Sequence, residues 1–153
     1  MNRLDQLVKD MLEQHEGGNT FFDHLDEAVR QDEAIVDAFI KTFPLNYSII
    51  GSGKFGRFFS NYFSQKRQFD NMIIVVNGNL RKSAYIDDLS YLNLTDKEFI
   101  FVDDSFCHGR TRNKVKAEIE RNGAVLVASY VIYDGSKNKD DLVHSMYRYH
   151  DKH

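Results

Sequence analysis

Phe99-Ile100-Phe101-Val102-Asp103-Asp104-Ser105-Phe106-Cys107-His108-Gly109-Arg110-Thr111 is the stretch that decides the fold. Four apolar residues in a row suit a strand buried on both faces of a parallel sheet. Two adjacent carboxylates close the run, and a polar turn through Gly109 follows. Residues 110–122 then carry Thr111, Val115 and Ile119 on one helical face, with Gly123 as the stop. In an open α/β sheet, ligands bind outside the carboxyl ends of the strands. A loop that feeds a helix N-terminus offers unpaired N–H groups and the positive end of the helix dipole, which together suit an anion. Gly109 lets the backbone approach an oxyanion, and Arg110, Thr111 and Arg112 add donors. Carboxylates beside a phosphate would repel it unless they have their own task. Accepting hydrogen bonds from sugar hydroxyls, or holding hydrated Mg²⁺, supplies one. The chemistry therefore points to a ligand with both a phosphate and a diol. The plainer reading is a strand-to-helix turn with the aspartates as solvated caps.

Outward from this stretch the same grammar repeats. Tyr47–Ile50, Met72–Val76 and Ala124–Ile132 are further short apolar runs rich in β-branched residues. Residues 54–66 separate the first two, with Phe55, Phe58, Phe59, Tyr62 and Phe63 at helical spacing. Strand–helix–strand alternation signals an α/β fold, three layers around a mostly parallel sheet. The aromatic stripe reads as core. Before the sheet, residues 1–45 read as helical. Leu4, Leu7, Val8, Met11 and Leu12 form one apolar stripe ended by Gly17-Gly18. Leu25, Ala28, Val29, Ile35, Val36, Phe39 and Ile40 form a second, interrupted by Asp32 and followed by Pro44, so one long helix or two short ones fit. At the other end Leu142, Val143, Met146 and Tyr147 suggest a last amphipathic helix. The expected organisation is a single domain over 1–153, with an N-terminal helical segment 1–45, a core 46–135 and a C-terminal helix 136–153.

The decisive stretch resembles the signature of the type I phosphoribosyltransferases: an apolar strand, two acids, a short loop with Gly and Thr, and a helix. The Asp-Asp-Ser start and the basic-type residue before Gly109 are closer to the amidophosphoribosyltransferase form than to the orotate form. The resemblance covers roughly residues 47–135. It implies the three-layer fold of that family and phosphoribosyl transfer from phosphoribosyl pyrophosphate (PRPP), with Mg²⁺, to a nucleobase-like or amine acceptor. It implies that Asp103 and Asp104 contact the ribose hydroxyls, and the metal through water. It further implies that Ser105, Phe106, Cys107, His108, Gly109, Arg110 and Thr111 hold the 5-phosphate. Cys107 and His108 stand where small hydroxyl residues normally donate. His108 can donate instead, more strongly when protonated, and Cys107 is a poor donor.

Gly51-Ser52-Gly53-Lys54-Phe55-Gly56 is a literal GxGxxG between a strand and a helix. A dinucleotide site is the obvious rival reading, but it also needs an acid at the end of the next strand. There the sequence has Asn77-Gly78, and Asp70 comes before the strand. Under the resemblance, Gly51, Ser52 and Gly53 approach the pyrophosphate of PRPP and Lys54 supplies charge. The bland alternative is a turn that packs a helix closely on the sheet. Residues 77–97 are polar and hold Arg81, Lys82 and Tyr85. They match the place of the family's closing loop, with Arg81 beside Lys54 as a candidate to neutralise the leaving pyrophosphate. Tyr133 and Asp134 follow the fourth strand, where the family contacts its acceptor. The runner-up is a catalytically silent domain of this kind that senses a nucleotide or PRPP, or serves as an interaction module.

Composition bounds the rest. The 153 residues are 42% hydrophobic and 28% charged, with net charge −3. Scattered charge argues against broad nucleic-acid binding, and no apolar run approaches the roughly 18 residues of a membrane span. The N-terminus lacks signal-peptide character. Cys107 is the only cysteine, so an internal disulfide is excluded and a reducing, cytoplasmic home fits. His144, His150 and His153 lie in a polar tail without acidic or cysteine partners at ligand spacing, and read as surface residues. A small-molecule ligand is the expected partner, and a homodimer is compatible with the reading.

Overall fold

The computed structural model describes Gln6 and residues 27–66, 71–76, 89–106 and 109–148. Residues 27–30 are helical, and a second helix, α1, spans Glu33–Ile40. Asp32 separates them. Its extended backbone breaks the helix, and its side chain accepts from the N–H groups of Ala34 and Ile35 as an N-cap. The interruption in the apolar stripe is therefore a new helix start.

The sheet follows, in the order β1 (Ser48–Ser52), α2 (Gly53–Lys66), β2 (Ile73–Val76), β3 (Glu98–Phe106), α3 (Arg110–Arg121), β4 (Val125–Asp134) and β5 (Val143–Arg148). All four pairings are parallel, in the spatial order β2-β1-β3-β4-β5. In this doubly wound order the chain moves outward from β1 in one direction and then returns to its other side. That puts the topological switch point between β1 and β3.

Strand alternation builds the layers. Ile49, Ile100 and Val102 pack under α1 and α2, in a cluster with Phe39, Phe43, Phe55, Phe59 and Phe63. Ile50, Phe99 and Phe101 pack on the opposite face with Val115 and Ile119 of α3 and with Leu89 and Leu94. The aromatic stripe of α2 is core, as its spacing indicates. The Phe59 and Phe63 rings stack with centroids 5.6 Å apart, and Phe39 meets Phe59 edge-on at 5.9 Å.

Two expectations are corrected. The helix expected at the C-terminal end is a strand over 143–148. Ser129 N–H donates to the Leu142 carbonyl, and β4 takes β5 as its parallel neighbour. Backbone pairing with β4 and burial of Val143, Tyr147 and Arg148 outweigh a weak helical spacing of four apolar residues. Second, β3 does not stop at the acidic pair but continues to Phe106, with Ser105 paired to Tyr133 and Phe106 to Asp134.

Candidate functional site

The register brings the two singled-out turns together. Gly51 of β1 lies opposite Val102 of β3, one residue before Asp103. Both strands then lead into helices whose first turns hold no acidic residue, α2 at Gly53 and α3 at Arg110. Two positive helix ends thus lie at adjacent strand termini, on the side where a doubly wound sheet takes its ligand. The acidic pair lies within β3, level with the end of β1 and two residues short of the end of β3.

Gly109 is the N-cap of α3 and lies in the left-handed region at φ 74°. It has no side chain with which to cap, so the first-turn amides are left for another acceptor. A Cβ there would lie 3.1 Å from the tip of the Phe106 ring. Sterics and backbone conformation both demand glycine. Asp103 is 9% exposed and accepts from the Asp104 N–H at 2.8 Å, while Asp104 accepts from the Ser105 hydroxyl at 3.3 Å. Of the basic candidates, Lys54 and Arg110 are exposed. Arg112 is already engaged: it donates to Asp140 at 3.0 Å and its guanidinium lies 5.2 Å over the Phe106 ring. Thr111 is buried against the sheet with Val115 and Ile119.

The GxGxxG divides its labour. Gly53 has φ 63° at the start of α2, which frees the turn for a close backbone approach. Gly51 and Gly56 serve packing. A Cβ on Gly56 would lie 2.8 Å from the Gly51 carbonyl carbon, and one on Gly51 would lie 3.1 Å from Gly56 Cα. The helix therefore rests on bare backbone of the strand. Ser52 is buried and pairs with Val76.

No family model matches the sequence, and no curated protein matches it. Solved structures do match. A purine phosphoribosyltransferase from Pyrococcus horikoshii Ot3 superposes with a TM-score of 0.56 at 20% identity, covering 78% of this chain and 82% of that one. A hypoxanthine phosphoribosyltransferase from Staphylococcus aureus gives 0.52 at 11%, covering 80% and 74%. A hypoxanthine-guanine phosphoribosyltransferase from Bacillus anthracis gives 0.51 at 18%, covering 83% and 77%. The chain has the phosphoribosyltransferase fold.

Within this phosphoribosyltransferase fold, the residues expected to meet an acceptor turn inward. Tyr133 is 3% exposed and stacks on Tyr147 with centroids 5.5 Å apart. Asp134 is 1% exposed. It pairs with Arg148 at 3.3 Å and accepts from the Ser136 N–H and hydroxyl at 2.9 and 2.6 Å. Their side chains tie β4 to β5 and to the turn at 136. Arg81, Lys82, Tyr85, Cys107 and His108 lie outside the described residues. The second part of the expected closing loop is anchored. Leu89 and Leu94 are buried, and the Leu89 N–H donates to Glu118 at 2.9 Å. Burial alone would raise the Glu118 carboxyl, but Arg121, the Leu89 amide and Asn122 hold it below the usual carboxylate range.

Asp140 and Arg148 are the site's neighbours that sequence reading misses. Each acts through a partner distant in the chain. Asp140 lies in the connection between β4 and β5. The Leu142 N–H holds its carboxyl below the usual range. Burial opposes that effect, and Arg112 reinforces it.

Proposed function

We propose that this chain binds PRPP with Mg²⁺ and transfers its phosphoribosyl group to a nucleobase or amine acceptor, releasing pyrophosphate. One observation carries the reading: two acid-free helix N-termini follow neighbouring strands, with Asp103-Asp104 on β3 level with the end of β1. A ligand with two anionic groups and a diol fits that arrangement. The 5-phosphate goes to the amides of 109–112, the pyrophosphate to the turn at Gly53 and Lys54, and the ribose hydroxyls to the acids. The dinucleotide alternative gains no support, because the β2 end offers no acid in the sequence.

Among the described residues no three His, Cys, Asp or Glu gather as a metal cage. Two adjacent carboxylates still suit Mg²⁺, which keeps several waters and completes its shell on substrate phosphates. Asp103 and Asp104 would hold it through water, and when bound it would neutralise the leaving pyrophosphate. The chain's own work is positioning and charge stabilisation while the anomeric carbon becomes cation-like. Lys54 and Arg81 are the proposed side-chain cations. The amidophosphoribosyltransferase-like spelling of the loop places ammonia among the acceptors worth testing, beside purines and pyrimidines. Among the described residues no helix is long and apolar enough to cross a membrane.

The test is calorimetry with PRPP and Mg²⁺, followed by pyrophosphate release across that acceptor panel. Asp103→Asn with Asp104→Asn is expected to weaken PRPP binding by about 1–3 kcal/mol, the range for lost hydrogen bonds to charged groups. Absence of heat with PRPP and with purine monophosphates at millimolar concentration overturns the reading. Binding without turnover of any acceptor replaces the enzyme by the silent sensor.

A further inference from the structure

Arg112 sits where the helix dipole disfavours a cation, in the first turn of α3. Its surroundings explain why it stays. Its side chain is 17% exposed, and Nη1 is 3.0 Å from Asp140 Oδ2. Nε donates to Asn113 Oδ1 at 2.8 Å, and the guanidinium carbon lies 5.2 Å from the Phe106 ring centroid. Asp140 is itself fixed, because its Oδ1 accepts from the Leu142 N–H at 2.9 Å. Phe106 is held from behind as well: its carbonyl accepts from the Gly135 N–H at 2.8 Å. The tip of the Phe106 ring meets Gly109, whose would-be Cβ position is also 3.5 Å from Arg112 Nη2. Phe106, Gly109 and Arg112 thus form one packed unit, closed from outside by a carboxylate of the β4–β5 connection.

We propose that the Arg112–Asp140 pair is a positioning clamp that sets the separation of Phe106 from Gly109, and through it the aim of the α3 amides at the ligand phosphate. Arg112 is a positioning residue in this account: it acts through Phe106 and Gly109 and does not ligate the phosphate. A guanidinium suits both contacts, because its separate N–H groups reach the carboxylate while its carbon lies near the ring. The clamp also ties the first turn of α3 to the connection after β4. The inference rests on the proposed phosphate site for its consequence in binding, but the mechanical part stands without it.

Asp140→Asn separates the possibilities, because the amide oxygen can still accept from Leu142 while the charge facing Arg112 is lost. Amide hydrogen exchange of the ligand-free protein reads the clamp directly. Faster exchange at Asn113 and Gly135, whose N–H groups donate to the Gly109 and Phe106 carbonyls, is expected in Asp140→Asn and Arg112→Lys, with α2 amides unchanged. Unchanged exchange at Asn113 and Gly135 overturns the clamp whether or not any ligand binds. Titration with ribose 5-phosphate then reads the consequence. Both variants are expected to bind about fivefold more weakly, the scale of a partly exposed ion pair. Tighter binding by Asp140→Asn would mean that Asp140 withholds Arg112 from the phosphate, and that overturns the positioning role. Binding by Arg112→Lys equal to wild type does the same. Failure of the wild-type protein to bind ribose 5-phosphate counts against the proposed function, while the exchange result still decides the clamp.

Discussion

Replacing Gly109 by alanine should damage the fold and the ligand site together, and the structure sets the size of both effects. At φ 74° the residue is in the left-handed region, where an L side chain costs about 1–2 kcal/mol. The new methyl would also lie 3.1 and 3.3 Å from two carbons of the Phe106 ring. That ring cannot swing away freely, since it is 8% exposed and Arg112 covers it. Forcing it off its rotamer adds about 0.5–1.5 kcal/mol. The total of roughly 1.5–3.5 kcal/mol should lower Tm by about 5–11 °C for a chain of this size. If the backbone instead relaxes to a negative φ, strain is relieved but the amides of 110–112 lose their common aim. PRPP or a nucleoside monophosphate should then bind at least about tenfold more weakly, the equivalent of about 1.4 kcal/mol. Thermal unfolding with and without ligand reads both terms. A variant whose Tm and affinity match wild type would show that neither the positive φ nor the contact with Phe106 matters, and the loop argument would fall with them.

Gly56→Ala should destabilise by about 1–3 kcal/mol through overpacking, because its methyl would meet Gly51 backbone at 2.8 Å. The loss should be the same with and without PRPP, and a ligand-specific effect would refute the packing role. Arg148→Met should cost about 3–5 kcal/mol in denaturant titration, since it strands a carboxylate that is 1% exposed; a cost under about 1 kcal/mol would show that the pair with Asp134 contributes nothing of that kind. Burial, with the hydrogen bond to Asp37 at 3.0 Å, raises the Tyr62 phenol from its ordinary 10 to about 12. The folded state favours the neutral phenol, so this contribution is complete below pH 10 and lost as pH rises through about 12. Tyr62→Phe should flatten that alkaline loss, and an unchanged pH profile of stability would refute the assignment.

What the sequence made legible was whatever depends on local pattern. The β-branched runs of β1, β2, β3 and β4 announce buried parallel strands, and the aromatic stripe of α2 announces a core face. The glycines at 51, 53, 56 and 109 mark turns that are tight for steric reasons. What escaped depends on partners far along the chain. Val143-His144-Ser145-Met146-Tyr147-Arg148 is a strand because β4 offers it a hydrogen-bonding edge, and no local period encodes that edge. Asp134 looks like a ligand residue at a strand end until the register sets Arg148 opposite it. Leu89 and Leu94 fall in a stretch without helical or alternating period, yet both are buried on the α3 face of the sheet.

Two glycine-bearing turns therefore serve different physics. In the first, Gly51 and Gly56 are consumed by helix-on-strand contact, and only Gly53 remains as a conformational device facing the strand end. In the second, the single Gly109 carries the positive φ, the missing cap and the contact with Phe106 at once. A motif match alone would have assigned the ligand to the richer turn. The packing distances reverse that weight: the turn with three glycines is mostly scaffold, and the turn with one is where a change of a single methyl should be felt by a phosphate. The adjacency of β1 and β3 sets these two turns side by side, with Asp103 and Asp104 on β3 level with the end of β1.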